Sequence, residues 1–295
     1  MIPCPAPVTT KNRFLCSGLQ SGDPFAIVRG SILMDRLPLY ISTLCFFLAF
    51  AYTVYAYSKG KPRASRFNFA VISVGFLLQA WFMHQRGQAL GRCPITNLFE
   101  VLIFLSWSIV LLYLLIGPAY RLSLLGAFTA PLVLVLQMIA LAAPIDVPNL
   151  KLVGKPDAWL ELHAAFSVIS YGAFAMAGIA GVMYLAQERQ LKTHHLRSIF
   201  FQMPPITLLA SANLRLLYAG LALLTVGLAA GFLVKAPLSG TKLAWGIIMW
   251  AIYLAIILMK RFGLGLGPRR VAFLSVVAFT LSLTALWSIN YFSGR

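Results

Sequence analysis

Four histidines are the first residues to weigh, because a neutral imidazole binds metals and is a common axial ligand of haem iron. His84 ends the second apolar stretch of the chain, Glu100 stands at the start of the third, and His163 starts the fifth. Ionisable groups at membrane depth are expensive, so each is a functional candidate by default. A histidine at a water–lipid boundary suits an amphipathic haem, whose ring lies in lipid-like surroundings while its propionates reach water. Arg86 and Arg92 could meet those propionates. The plainer reading has His84 and His163 capping helix ends and bonding to nearby loops. Asn97 and Glu100 have the spacing of a capping box, with Glu100 against the positive end of a helix. The sharper alternative makes Glu100 orient His84, His163 or a haem-linked partner. His194 and His195 stand beside Lys192 and Arg197 and read as solvated and interfacial. The four cysteines form no C-x-x-C, so they offer no metal or haem-attachment motif.

The elements that must position these residues follow from composition. Of 295 residues, 60% are hydrophobic and only 11% charged; a soluble domain averages about 45–50% and 25%. A soluble enzyme and a disordered chain are both excluded. The fold class is all-α: a polytopic integral membrane protein of about eight transmembrane helices, with the lipid bilayer as its solvent. Stretches free of Asp, Glu, Lys and Arg and long enough to matter cover 37–58, 67–85, 101–120, 122–145, 162–187, 198–214, 216–234, 243–259 and 271–294. Eight suit a span. The exception is 198–214, where Pro204 and Pro205 remove two backbone donors and Gln202, Ser211 and Asn213 are polar. It is expected as a connector ending in an interfacial amphipathic helix.

Charge sets the orientation. The net charge of +17 is read as basic helix ends at an anionic leaflet, with no nucleic acid as partner. Segments after the first, third, fifth and seventh spans hold 13 Lys+Arg, against 6 in the three opposite loops. The basic side is therefore expected in the cytoplasm and both termini outside. His84, Glu100 and His163 then converge on the outer leaflet. Residues 1–34 are expected as an external extension and 35–295 as the eight-span domain. They do not read as a secretory signal, since Pro3, Pro5 and Pro7 break the start and no long apolar core follows. Cys4 and Cys16 could pair outside or stay free. Loop 144–161 reads as polar and external. Trp81, Trp159, Trp245 and Trp287 fall near the outer interface as an aromatic belt would. Gly227 and Gly231 form a G-x-x-x-G step, read as close helix packing.

Residues 91–107, GRCPITNLFEVLIFLSW, resemble the CcsA-type cytochrome c assembly family through Gly91, Pro94, Ile95, Thr96, Asn97, Leu98, Phe99, Glu100 and Trp107. Residues 159–171, WLELHAAFSVISY, are similar to its external histidine segment, mapping onto His163, Ser170 and Tyr171. The stretch 204–231 resembles its Pro-rich connector and Gly-containing helix. The similarity runs over about 35–290 in order and span number. The family's tryptophan-rich haem-handling loop survives only in its second half, as Lys242, Trp245 and Trp250. Residues 233–241, LVKAPLSGT, hold no Trp, and Gly240 stands where an Asp would be. The family's two other histidines would fall near Leu258 or Met259 and near Asn290. This erosion makes the chain similar to the HemX/YpjD-like branch.

The resemblance implies a component of c-type cytochrome biogenesis in a bacterial inner (cytoplasmic) membrane. It would handle haem b at the outer face and deliver it to apocytochrome c with a CcsB/ResB-like partner. Any enzymatic role would be as a subunit of a haem-attachment complex, and no residue is assigned as catalytic. The cofactor-binding candidates are His163, as ligand of the haem iron, with His84, Trp245 and Trp250; Asn97, Glu100 and Arg92 stand beside them. The alternative is a HemX-like, non-catalytic regulator or scaffold of haem metabolism. A transporter ranks last, since neither midplane charges nor an inverted repeat is present.

Overall fold

Apolar runs in a bilayer must satisfy every backbone group internally, and the chain does so with helices. The computed structural model describes residues 24–58, 66–116, 125–142, 157–193, 205–234, 240–263 and 265–293. Within them lie α1 (Pro24–Ser58), α2 (Arg66–Leu90), α3 (Leu98–Ile116), α4 (Leu125–Ala142), α5 (Ala158–Thr193), α6 (Ile206–Phe232), α7 (Gly240–Arg261) and α8 (Pro268–Ser293). Six helices are long and apolar enough to cross a membrane over their described residues, and α4 is a shorter apolar helix. The chain is an all-helical, multi-pass membrane protein. Helix α1 starts at Pro24, inside the segment expected as an extension. Cys4, Cys16, His194 and His195 lie outside the described residues.

Helix α5 is the centre of the bundle. Its middle runs Gly172, Ala173, Ala175, Ala177, Gly178, Ala180 and Gly181, all buried. Small residues let neighbouring backbones approach, which is how helices associate when lipid offers no hydrophobic drive. A Cβ on Gly172 would lie 2.9 Å from Ser108 of α3, and one on Gly181 would lie 2.7 Å from the Ala272 carbonyl of α8. On α6, a Cβ on Gly220 would strike the Phe174 ring, which itself stacks on Tyr253 of α7 at 3.5 Å. Helices α3, α6 and α8 therefore pack on α5, α7 packs on α6 and α8, and α1, α2 and α4 complete the side around α3.

Polar side chains join the helices inside this core. Asn213 of α6 donates to the Ala177 carbonyl at 2.7 Å and to Ser275 Oγ at 2.8 Å. Gln79 of α2 donates to the Ile103 carbonyl and to Ser106 of α3. Thr43 of α1 donates to Gln137 Oε1 of α4 at 2.9 Å. These bonds correct one expectation. Residues 206–214 are not an interfacial helix; they are the first turns of α6, continuous with the span that follows. Pro205 costs nothing where it sits, immediately before the first helical residue. Asn213, which looked too polar for lipid, is 1% exposed and satisfied by two other helices.

Most of the charges among the described residues sort to the two ends of the bundle. Arg86, Arg92, Glu100, Glu161 and His163 lie at one end. Glu188, Arg189, Lys192, Lys260, Arg261, Arg269 and Arg270 lie at the other, the basic end.

Candidate functional site

At the histidine end, a chain reversal builds the site. Gly91 adopts φ 65°, the left-handed conformation that ends a helix without a Cβ clash. The Gly91 N–H bonds to the Gln88 carbonyl and the Arg92 N–H to the Gly87 carbonyl, the paired bonds of a Schellman stop. The loop 91–97 then runs to α3. Asn97 Oδ1 accepts from the Glu100 N–H at 2.8 Å, so Asn97 is the N-cap of α3, as its spacing predicts.

Glu100 does more than complete that cap. It is 2% exposed, and its carboxylate accepts three bonds. Arg86 Nε donates to one oxygen at 2.9 Å; the Thr96 N–H and Thr96 Oγ1 donate to the other at 2.7 Å each. Helix α2, the loop and α3 are thus joined through one buried carboxylate. The guanidiniums of Arg36 and Arg86 lie 4.9 Å and 5.9 Å from the centre of the buried Phe99 ring, close enough for cation–π attraction.

A second carboxylate ties the loop to α5. Asp157 Oδ1 accepts from the Trp159 N–H at 3.0 Å and starts that helix, so 158–161 is its first turn and not loop. Glu161, one turn in, accepts from the Cys93 N–H at 3.2 Å and lies 4.0 Å from Arg92 Nε. Arg92 has a side chain only 6% exposed. Burial, reinforced by the Glu161 charge, pushes the Cys93 thiol up to about 11.

His163 follows two residues later. Its Nδ1 lies 2.7 Å from the Gly227 carbonyl of α6. A carbonyl only accepts, so Nδ1 carries the proton and the lone pair of the neutral ring is on Nε2. The seat is made by glycine: a Cβ on Gly231 would lie 2.7 Å from His163 Nδ1, and one on Gly227 would lie 2.9 Å from Ser167 Oγ. The G-x-x-x-G step, read from sequence as packing alone, is the socket of this histidine.

The other candidates are placed apart. His84 is exposed on α2, with its ring 6.2 Å from that of exposed Trp81, while Arg86 turns inward. Glu100 meets Arg86 and Thr96, not His84 or His163. Trp245 is 38% exposed, and Trp250 donates through Nε1 to Thr225 Oγ1 at 2.9 Å. Helix α6 stands between: Gly227 and Gly231 meet His163, while Thr225 and Leu228 meet α7. Arg86 and Arg92, expected toward propionates, have internal carboxylates beside them. Sequence reasoning passed over Glu161 and Arg36. The signal for Glu161 was available in its place one turn into a helix and two residues before His163; Arg36 carried none.

The arrangement resembles half of a metal site. A ligating histidine generally donates its other ring N–H to a carbonyl or carboxylate, which fixes tautomer and orientation. His163 has that bond. Among the described residues, no cluster of three His, Cys, Asp or Glu side chains exists to hold a bare metal ion.

Comparison with known proteins bears on about two thirds of the chain. Residues 95–294 match the family model described as Cytochrome C assembly protein. Among curated relatives, Protein HemX of Brevibacillus brevis is 27% identical over 209 residues, covering 69% of this chain and 76% of that protein. Cytochrome c biogenesis protein CcsA of Guillardia theta is 26% identical over 230 residues, covering 68% and 74%. The protein of the same name from Prochlorococcus marinus is 29% identical over 231 residues, covering 68% and 73%.

Proposed function

The chain belongs to the cytochrome c assembly protein family, and we propose that it is a membrane component of c-type cytochrome biogenesis that handles haem through His163. The observation that carries this reading is the 2.7 Å bond from His163 Nδ1 to the Gly227 carbonyl. It leaves Nε2 as the nitrogen with a lone pair, on a partly buried ring near one end of the bundle. The donor set fits haem iron better than a bare cation, because one imidazole beside apolar helices supplies an axial ligand and no charged cage. When bound, haem supplies the iron and vinyl groups on which attachment chemistry depends. The chain's own residues hold and orient. Gly227 and Gly231 seat the imidazole, while Glu100 and Glu161 fix the loop 91–97 to α2, α3 and α5 at the same end of the bundle. Arg86 and Arg92 serve in that fixing, not as propionate partners.

Haem b as the form bound, apocytochrome c as recipient and a CcsB/ResB-like protein as partner complete the proposal. So do a bacterial inner membrane and termini on its outer side. The histidine end would then face outward.

Detergent-purified protein should show a Soret band. His163→Ala should weaken it, and added imidazole should restore it by filling the vacated position. One feature favours a second reading. The segment 233–241 lacks the tryptophans of a haem-handling loop, and Trp250 is bonded to Thr225 instead of projecting freely. If wild-type protein purifies colourless after haem supplementation, the chain is a HemX-like regulator or scaffold of haem metabolism.

A further inference from the structure

The basic end holds a cavity of about 850 Å³ between α5 and α8. Its shape follows from helix lengths. The two helices touch where Gly181 meets Ala272. From there α8 begins within about one turn, at Pro268, whereas α5 continues to Thr193. The overhanging turns of α5, Leu266 of the turn before α8 and the first turns of α8 line this half-open space. Leu185, Leu274 and Phe273 form its apolar floor and wall, and Phe273 is 56% exposed.

The rim is cationic. Arg189, Lys192, Arg269 and Arg270 face the cavity with one carboxylate, Glu188, among them. That carboxylate is shared: Lys192 Nζ lies 2.7 Å from one oxygen and Arg269 Nε 3.5 Å from the other. Arg270 donates to the Gly265 carbonyl at 2.9 Å, which orients the guanidinium without neutralising it. Arg269 and Arg270 also occupy the first turn of α8, which holds no acidic residue. Cations there oppose the positive end of the helix dipole, an arrangement that an anion relieves. A cavity lined by Leu185, Phe273 and Leu274 together with an excess of cationic side chains suits an amphiphile with an anionic head.

We infer that this cavity binds an anionic glycerophospholipid, its phosphate held by Arg269, Arg270 and Lys192 and an acyl chain lying along Phe273. Basic pockets between membrane helices select such headgroups through charge and guanidinium–phosphate bonding.

The full-length protein tests this. Native mass spectrometry after reconstitution in equimolar phosphatidylglycerol and phosphatidylcholine should show retained phosphatidylglycerol, with little phosphatidylcholine. R269Q/R270Q should lower that retention by about tenfold or more. R269K/R270K, which keeps the charge, should retain lipid while losing part of the preference. Arg261→Gln removes one exposed charge from the same end outside the cavity and should change nothing. Melting temperature should rise with phosphatidylglycerol for wild type and less for R269Q/R270Q; a folded baseline for that variant is checked by its melt in phosphatidylcholine. Equal retention of the two lipids, equal loss on Arg261→Gln, or full stabilisation by inorganic phosphate alone overturns the assignment.

Discussion

Glu100→Gln is the substitution that most sharply tests how the histidine end is built. As a helix-capping residue alone, Glu100 should tolerate the change, because glutamine keeps the size and an acceptor. Its surroundings say otherwise. The carboxylate accepts from three donors, Arg86 Nε, Thr96 N–H and Thr96 Oγ1, and its side chain is 1% exposed. Glutamine offers one acceptor oxygen. Turned toward Thr96, it presents its own NH₂ to the Arg86 guanidinium, donor against donor; turned the other way, it abandons Thr96. A charge-assisted bond is worth about 1.5–3 kcal/mol, and stranding a buried partner raises the cost to about 3–5 kcal/mol. Arg86 is 19% exposed, and water reaching it holds the effect near the low end, about 3 kcal/mol. Asn97→Ala removes the cap and should cost about 0.5–2 kcal/mol. Thermal unfolding of detergent-purified variants, followed by tryptophan fluorescence, should rank Glu100→Gln below Asn97→Ala. Combining Glu100→Gln with Arg86→Leu should cost less than the two losses added, since the second change removes the stranded charge. A Glu100→Gln protein that melts with wild type, or above Asn97→Ala, refutes the buried three-bond network.

Three further outcomes are expected. Gly231→Ala should reduce haem retention of the purified protein by about tenfold, because its methyl would sit 2.7 Å from His163 Nδ1; Gly246→Ala, which meets only the far end of Leu228 at 3.1 Å, should retain haem. Cys93, raised by burial from 9.0 to about 11, should hold about a hundredfold less thiolate than an ordinary thiol near neutral pH, with reactivity gained only as pH climbs toward that value; maleimide labelling in detergent should be correspondingly slow at pH 8, and rapid labelling of the folded protein contradicts it. Reporter fusions at residues 63 and 265 should give cytoplasmic signals and one at residue 152 an external signal; a cytoplasmic signal at 152 reverses the proposed orientation.

Span positions were legible in the sequence because a bilayer imposes a one-dimensional rule. Each crossing needs a helix of sufficient apolar length, whatever its neighbours do. The Asn97 cap was legible for the same reason: its donor lies three residues away on the same chain. The motif from Gly91 to Glu100 could be recognised as a run, and Gly91 answers to a local need, a helix stop at positive φ.

What failed to show in sequence was everything that depends on a partner from another helix. The stretch 198–214 looked unfit for a span because of Pro204, Pro205 and the polar Gln202, Ser211 and Asn213, yet the acceptors of Asn213 stand on α5 and α8. Glu100 was left between a cap and a link to histidine; only the packing of α2 on α3 gives it Arg86. His84 and His163 looked equivalent, each at a helix end on one side. Helix rotation separates them, with His84 turned out beside Trp81 and His163 turned onto Gly227. Gly227 and Gly231 are the clearest case. Their spacing states that something packs closely there, since glycine removes the Cβ on one helix face. That the something is the imidazole of His163 is a relation between α5 and α6, decided by where two helices cross in three dimensions and by no local spacing along either.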